Sequence, residues 1–417
     1  MKYSIAGACL LPLLGLAAAL PAFAQDLVIT NARVLDGTGR VIENGAVAVR
    51  GGRIVSVGET AADMRGAERI DARGRTVMPG FIDAHRHIID GEPGRWLAEQ
   101  AAASMRQFLE AGFTTVFSAI DPTEQILELR RRIVAGEVTG PRLLAAGFVP
   151  LAATPARTSN VDPARTDASR GPGRPTDPAP AIQESQTRAA VRALAEAGVD
   201  AIKTVLIVTP GGPEQNTLSV VVDEARRAGI PTVTHAVTVR DTVAAVEAGT
   251  TVLVHTPHIG QLDTETARMI AAAGMPMVST LGVFVPFFNE RNEPLFRDFE
   301  PFPWDTLSSA GQGPVNARLL WEAGITYAYG TDTSYSPEDS LAHELKPLRL
   351  VFSPQDIVSI LTRNAAAAVG LSEQIGTLEP GKLADIVIID GDPLADIDAV
   401  LDVAAVIKEG RLVVDNL

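Results

Sequence analysis

Glu247-Ala248-Gly249-Thr250-Thr251-Val252-Leu253-Val254-His255 carries the pattern that decides the fold. A helical stretch runs into Ala-Gly, and a β-branched, apolar run follows that ends on a histidine. Glycine takes the left-handed backbone that caps a helix without Cβ strain, and a buried strand begins soon after it. The same join recurs along the chain. Glu110-Ala111-Gly112 precedes Phe113, Glu196-Ala197-Gly198 precedes Val199, and Arg227-Ala228-Gly229 precedes Ile230. Ala273-Gly274 precedes Met275, and Glu322-Ala323-Gly324 precedes Ile325. Adding the apolar runs Phe81 to His87 and Arg142 to Phe148 makes eight strands alternating with helices. That count and alternation predict an α/β fold, a parallel (β/α)8 barrel of the TIM type.

Outside this repeat both ends of the chain look like antiparallel sheet. Ala46 to Val49 and Ile54 to Val57 flank Gly51-Gly52, a hairpin signal. Ala384 to Ile389, Val403 to Ile407 and Leu412 to Val414 repeat the style at the C-terminus, with Glu409-Gly410 between the last two. The two ends are therefore expected to pair into one small β-sandwich domain with the barrel inserted between them. The expected boundaries are 25–78 and 373–417 for the β-domain and 79–372 for the barrel.

The chain has 417 residues, 46% of them hydrophobic, which is ample for a large core. Its formal net charge of -14 argues against nucleic acid as a partner, since a phosphate-binding surface needs an excess of Lys and Arg. Residues 1–24 read as a cleavable signal peptide: Lys2, an apolar run from Leu10 to Leu20, and Ala22-Phe23-Ala24 before Gln25. The run is about half of the ~20 residues a membrane span needs, so no stable anchor is expected. A periplasmic or secreted location follows. The only cysteine, Cys9, lies in this segment, so the mature chain has no disulfide and no thiolate chemistry. Residues 149–182 are rich in Pro, Gly, Ser and Arg and too long for an ordinary connection. They read either as a positively charged lid on the active-site face or as a solvated loop.

Four of the six histidines close predicted strands. In Pro79-Gly80-Phe81-Ile82-Asp83-Ala84-His85-Arg86-His87, alternate residues share a face, so Asp83, His85 and His87 point into the barrel mouth. Arg86 points to the helix layer, where a structural ion pair is expected. His-x-His on a strand end can bind one metal, though two histidines satisfied by core hydrogen bonds would look the same. Lys203 ends Asp200-Ala201-Ile202-Lys203, His235 and His255 end two further strands, and Asp332 follows the last. Catalytic groups in such barrels come from the C-terminal ends of several strands, which makes the set more telling than any member. His258, three residues past His255, is either a substrate contact or an exposed loop histidine. His343 reads as structural or as support for the site.

On these motifs the sequence resembles the amidohydrolase superfamily, in its imidazolonepropionase-like and metal-dependent prolidase-like branch. Ala201-Ile202-Lys203, Thr234-His235-Ala236, Gly330-Thr331-Asp332-Thr333 with His343-Glu344-Leu345, and Gly376 through Val387 complete the likeness over nearly the whole mature chain. The resemblance implies that His85, His87 and Asp332 hold one divalent metal and His235 and His255 a second, zinc being expected. It implies that Lys203, carboxylated by carbon dioxide to a carbamate, bridges the pair. Burial lowers a lysine pKa and so favours the neutral amine that reaction needs. The implied reaction is hydrolysis of a C–N bond in an amide, cyclic amide or dipeptide. A metal-activated hydroxide attacks, and Asp332 carries the proton as general base and then acid.

The family's prolidase-like enzymes carry a Gly-Gly-His loop after strand three. Ala146-Gly147-Phe148-Val149-Pro150 stands there instead, so dipeptide cleavage does not follow from the likeness. An Xaa-Pro-type dipeptidase remains one alternative. A mononuclear deaminase or imidazolone-type hydrolase is another, and it normally lacks the bridging lysine. An esterase, lactonase or phosphotriesterase is a third, and a non-catalytic barrel would have lost ligands that are all present here. Small-molecule amide or peptide-like substrates are the expected partners, and side-by-side barrel assembly into a homo-oligomer is expected.

Overall fold

The computed structural model describes residues 26–60, 64–151, 184–284 and 307–417. The signal segment 1–24 and nearly all of the 149–182 segment lie outside the described residues. Among the described residues, no helix is long and apolar enough to cross a membrane.

The N-terminal strands are β1 (Leu27–Leu35), β2 (Val41–Arg50), β3 (Arg53–Gly58), β4 (Glu68–Asp71) and β5 (Thr76–Pro79). The barrel strands are β6 (Phe81–Arg86), β7 (Phe113–Ser118), β8 (Arg142–Phe148), β9 (Ala201–Val205), β10 (Thr232–His235), β11 (Val252–Val254), β12 (Met277–Val278) and β13 (Tyr327–Ala328). The chain then returns through β14 (Ile386–Ile389), β15 (Val403–Lys408) and β16 (Arg411–Asp415). β14 pairs antiparallel with β5, so one eight-stranded sheet in the order β16-β15-β14-β5-β1-β2-β3, with β4 on β1, joins the two chain ends. Two tight turns secure that join. Gly51 and Gly52 both have positive φ between β2 and β3, and Glu409 and Gly410 do the same between β15 and β16. Positive φ at both central residues matches the right-handed strand twist. The two turns touch, since a Cβ on Gly410 would lie 2.7 Å from Gly52 Cα. Arg142 at the start of β8 ties this sheet to the barrel through Asp385 (2.6 Å) and Glu409 (2.7 Å).

The second sheet runs β6 to β13 in chain order, every ladder parallel. Parallel strands covered by helices are buried on both faces, and β6, β7 and β9 are buried at every residue. A line of hydroxyls crosses the interior, Thr204 to Thr234 (3.1 Å) and Thr234 to Thr250 (2.6 Å), so polar interior residues satisfy each other.

Several strands begin about two residues later than the sequence pattern suggests, and the helix cap explains why. Val199, Ile230, Thr250 and Ile325 follow their glycines directly, yet their N–H groups still donate back to Leu194, Ala225, Ala245 and Leu320. These are the six-to-one bonds of a Schellman cap, which hold the first apolar residue on the helix before the ladder starts.

The barrel closes between its first and last strands. Ala84 N–H donates to Tyr329 O (3.0 Å), Thr331 and Asp332 N–H to His85 O (3.1 and 2.9 Å), and His87 N–H to Thr333 O (3.3 Å). Gly330 makes this approach possible, because a Cβ there would lie 2.3 Å from Val278 Cγ1 and 3.0 Å from His85 Cβ. Gly330→Ala is therefore expected to lower folding stability by about 1–3 kcal/mol through overpacking. The shift would appear as a lower urea midpoint at constant m-value. An unchanged midpoint would show that the seam has slack.

Candidate metal and active site

Side chains from five barrel strands meet at the C-terminal mouth. His85 lies on β6 and His87 just beyond it, so they share a face. Their Nε2 atoms lie 3.0 and 2.8 Å from the same oxygen, Asp332 Oδ1. The other carboxylate oxygen, Oδ2, lies 3.7 Å from His255 Nε2. His255 and His235 are in edge contact, ring centroids 4.3 Å apart, and His255 and His85 are 5.5 Å apart. Lys203 is buried at 1% exposure, close enough for its charge to act on His85, His87 and His255. All six residues read from the sequence are thus brought to one place.

The donor set fits a cation. One ligand atom each from His85, His255 and Asp332 lies within 4.8 Å of the others. His255 Nε2 is buried with no hydrogen-bond partner, while Nδ1 is held by Thr280 Oγ1 at 2.6 Å, which fixes which nitrogen faces inward. Burial, with the Lys203 charge, pushes His85 down to about 3, and burial with the His235 charge holds His255 well below its ordinary range. Both imidazoles are neutral ligands at physiological pH. Burial alone would raise Asp332, but the imidazoles of His85 and His255 and the His85 and His87 hydrogen bonds outweigh it and hold the carboxyl well below its usual value. An ionised carboxylate facing neutral imidazoles suits a divalent metal of the zinc, iron, manganese or cobalt kind.

The backbone is strained at this mouth. His255 (φ 75°), Thr280 (φ 42°) and Asp332 (φ 55°) all occupy the left-handed region, which costs non-glycine residues free energy and persists only where surroundings impose it. Some of those surroundings were not singled out in the sequence. Asp121 accepts hydrogen bonds from Ile88 N–H (3.0 Å), Ile89 N–H (2.9 Å) and Ser118 Oγ (2.6 Å), pinning the turn just after His87. Glu344 accepts from Ser279 Oγ (2.7 Å), Leu281 N–H (2.9 Å) and Gly282 N–H (2.5 Å), holding the turn that carries Thr280. His343 Nε2, beside it, lies 2.8 Å from Gly282 O, so His343 supports the same turn.

Two expectations are corrected. His258 is not an exposed loop residue: it is 2% exposed, its ring stacked on Phe284 at 3.7 Å, because its N–H donates to Val237 O and folds the turn inward. Arg86 faces away from the histidines, but among the described residues no carboxylate is hydrogen-bonded to it. It donates instead to the hydroxyls of Thr331, Thr333 and Ser340 and to the Tyr335 carbonyl.

The chain matches the amidohydrolase family over residues 76–413. The imidazolonepropionase of Symbiobacterium thermophilum is 27% identical over 90% of this chain and 91% of its own. The 5-methylthioadenosine/S-adenosylhomocysteine deaminase of the same organism is 26% identical over 94% of each. The solved structure of a prolidase complexed with N-methylphosphonate-L-proline aligns at a TM-score of 0.73 and 25% identity, covering 93% of this chain and 99% of that one.

Burial raises Glu344 from the ordinary 4.5 to about 8. A raised carboxyl contributes stability that is fully present below its unfolded value and is lost as pH rises through the folded one. The stability of chelator-treated wild type relative to Glu344→Gln should therefore fall between pH 4.5 and about 8. A difference flat across that window, by denaturant titration at each pH, would contradict this.

Proposed function

The chain belongs to the amidohydrolase family, and on that premise we propose that it is a binuclear metallohydrolase of a C–N bond in an amide, cyclic amide or dipeptide. That it is a hydrolase acting on C–N bonds follows from the family and its relatives. The finer reading rests on one observation, the fully buried Lys203 set among His85, His87 and His255. A lysine in that position is costly unless its amine is paired, neutral or modified, and modification fits the surrounding histidines. Carboxylation would turn it into an anionic oxygen donor facing both sets of histidines.

In this reading His85, His87 and Asp332 hold one ion, His235 and His255 the other, and Lys203 as its carbamate faces both. The metal pair, when bound, acidifies water to near neutrality and polarises the scissile carbonyl. The residues do the rest. Thr280 orients the His255 ring, and the His85 carbonyl, accepting from the Thr331 and Asp332 N–H groups, holds Asp332 at the mouth. Asp332, kept ionised, accepts the proton of the attacking water at its carboxylate and returns it to the departing nitrogen. Stacked His258 and Phe284 form an apolar wall beside His255 that would exclude bulk water from bound substrate. The apolar N-terminal run supports export as part of the same reading.

A mononuclear, imidazolone-type hydrolase is the second reading, favoured by the imidazolonepropionase relatives. Metal equivalents per chain separate the two, and a screen of N-acyl amino acids, dipeptides and cyclic amides finds the substrate. On the substrate so found, Asp332→Asn should still hold metal through its histidines, though more weakly, and lose about 10²–10⁴ in kcat, the usual worth of a positioned acid–base group. Turnover near wild type in that variant would remove Asp332 from proton transfer.

A further inference from the structure

One strand serves two faces. His85 and His87 point to the site, and between them Arg86 points the other way, buried at 2% exposure. Its Nη1 lies within hydrogen-bond reach of Thr331 Oγ1 (3.0 Å), Thr333 Oγ1 (2.8 Å) and Ser340 Oγ (2.8 Å), so two of these hydroxyls share one of its two N–H groups, and its Nη2 donates to Tyr335 O. Thr331 and Thr333 flank Asp332, and Tyr335 follows in the same turn. Asp332 itself has φ 55°, which this turn must impose.

We propose that Arg86 is a positioning residue that clamps the Thr331–Tyr335 turn and thereby aims the Asp332 carboxylate at the histidines. The proposal rests on the reading of Asp332 as ligand and proton carrier. A guanidinium suits the task because its planar fork lets Nη1 reach the hydroxyls while Nη2 reaches the Tyr335 carbonyl, Nε making no hydrogen bond. Lysine would have to reach the three hydroxyls and the Tyr335 carbonyl from one nitrogen with three hydrogens. The neighbouring bonds make the clamp directional. Thr331 Oγ1 donates its hydrogen to Asp83 Oδ2 (2.9 Å), which leaves its lone pairs for Arg86, and the Thr333 and Ser340 hydroxyls lie 2.8 Å apart, so one of them donates to the other. Backbone bonds from Thr331, Asp332 and His87 fasten the inner side of the turn to β6, and Arg86 fastens its outer side.

Beside the guanidinium lies a cavity of about 110 Å³, lined by Arg86, Ser104, Gln107, Phe108, Ser334 and Tyr335 among others. Gln107 and Ser334 are exposed at its edge. On that side the guanidinium lies over the Phe108 ring, 5.3 Å from its centroid, and a small ion has a way in once Arg86 is truncated.

The test measures zinc affinity of metal-free protein by chelator competition, with kcat and KM on the substrate from the screen. Arg86→Ala should bind zinc about 10–100-fold more weakly, the usual loss when support behind a metal ligand is removed. Its kcat should fall with KM little changed, because substrate contacts stay in place. Millimolar guanidinium should restore part of the zinc affinity, and the same concentration of urea, similar in shape but uncharged, should not. Thr333→Val, which removes one acceptor, should give a smaller loss in the same direction. Wild-type zinc affinity and kcat in Arg86→Ala overturn the clamp, as does equal recovery with urea. If Arg86→Ala does not fold, unchanged zinc affinity in Thr333→Val overturns it. Asp332→Asn measured alongside separates the two ideas. If it too keeps zinc affinity and turnover, the reading of Asp332 fails, whereas loss there with unaffected Arg86 and Thr333 variants removes the clamp alone.

Discussion

Asp332 Oδ1 sits 3.0 Å from His85 Nε2 and 2.8 Å from His87 Nε2, and this convergence depends on the seam that closes the barrel. The carboxylate comes from the last barrel strand and the imidazoles from the first, so residues some 245 positions apart meet only where β6 pairs with the chain after β13. That seam tolerates little. Gly330 has no room for a Cβ, Asp332 takes a backbone conformation that side chains disfavour, and the His85 carbonyl accepts two N–H groups to hold it. The strain is localised where metal ligands need fixed directions, and the surrounding bonds offset its cost.

The helix-end glycines made the fold legible. Each Ala-Gly join marks a cap, and the caps are as regular in space as in sequence, so strand number and order could be read directly. The starts of strands could not, because the first residue after each glycine still bonds to its helix. The six site residues were legible because they sit at strand ends, where an isolated His, Lys or Asp in an apolar run stands out. Their supports were harder to see. Glu344 left a trace, standing with Leu341, Leu345 and Leu348 at the spacing of one buried helix face, where an unpaired carboxylate is out of place. Thr280 and Asp121 left none, since a threonine or aspartate in a turn is ordinary until its partner is known. Arg86 was placed on the correct face by strand alternation, but alternation cannot say that its partners are hydroxyls from a turn far along the chain.

Relatives with different chemistries surround this chain at similar identity, an imidazolonepropionase and a deaminase among the curated proteins and a prolidase among the solved structures. A shared barrel supports several chemistries. What separates them physically is how many metals the mouth holds and what lies over it. The first depends on Lys203. A buried lysine held as its ammonium would repel a nearby cation, whereas a carbamate on the same atom would attract two. On the proposed reading, the charge of one side chain would decide between two classes of enzyme on one set of histidines.

The most direct test of this account is the metal content of protein purified without chelator, by elemental mass spectrometry. The account predicts about two equivalents of divalent metal per chain, the complement of a binuclear site. About one equivalent would contradict it, leaving Lys203 outside the metal centre and the chain closer to the mononuclear, imidazolone-type enzymes.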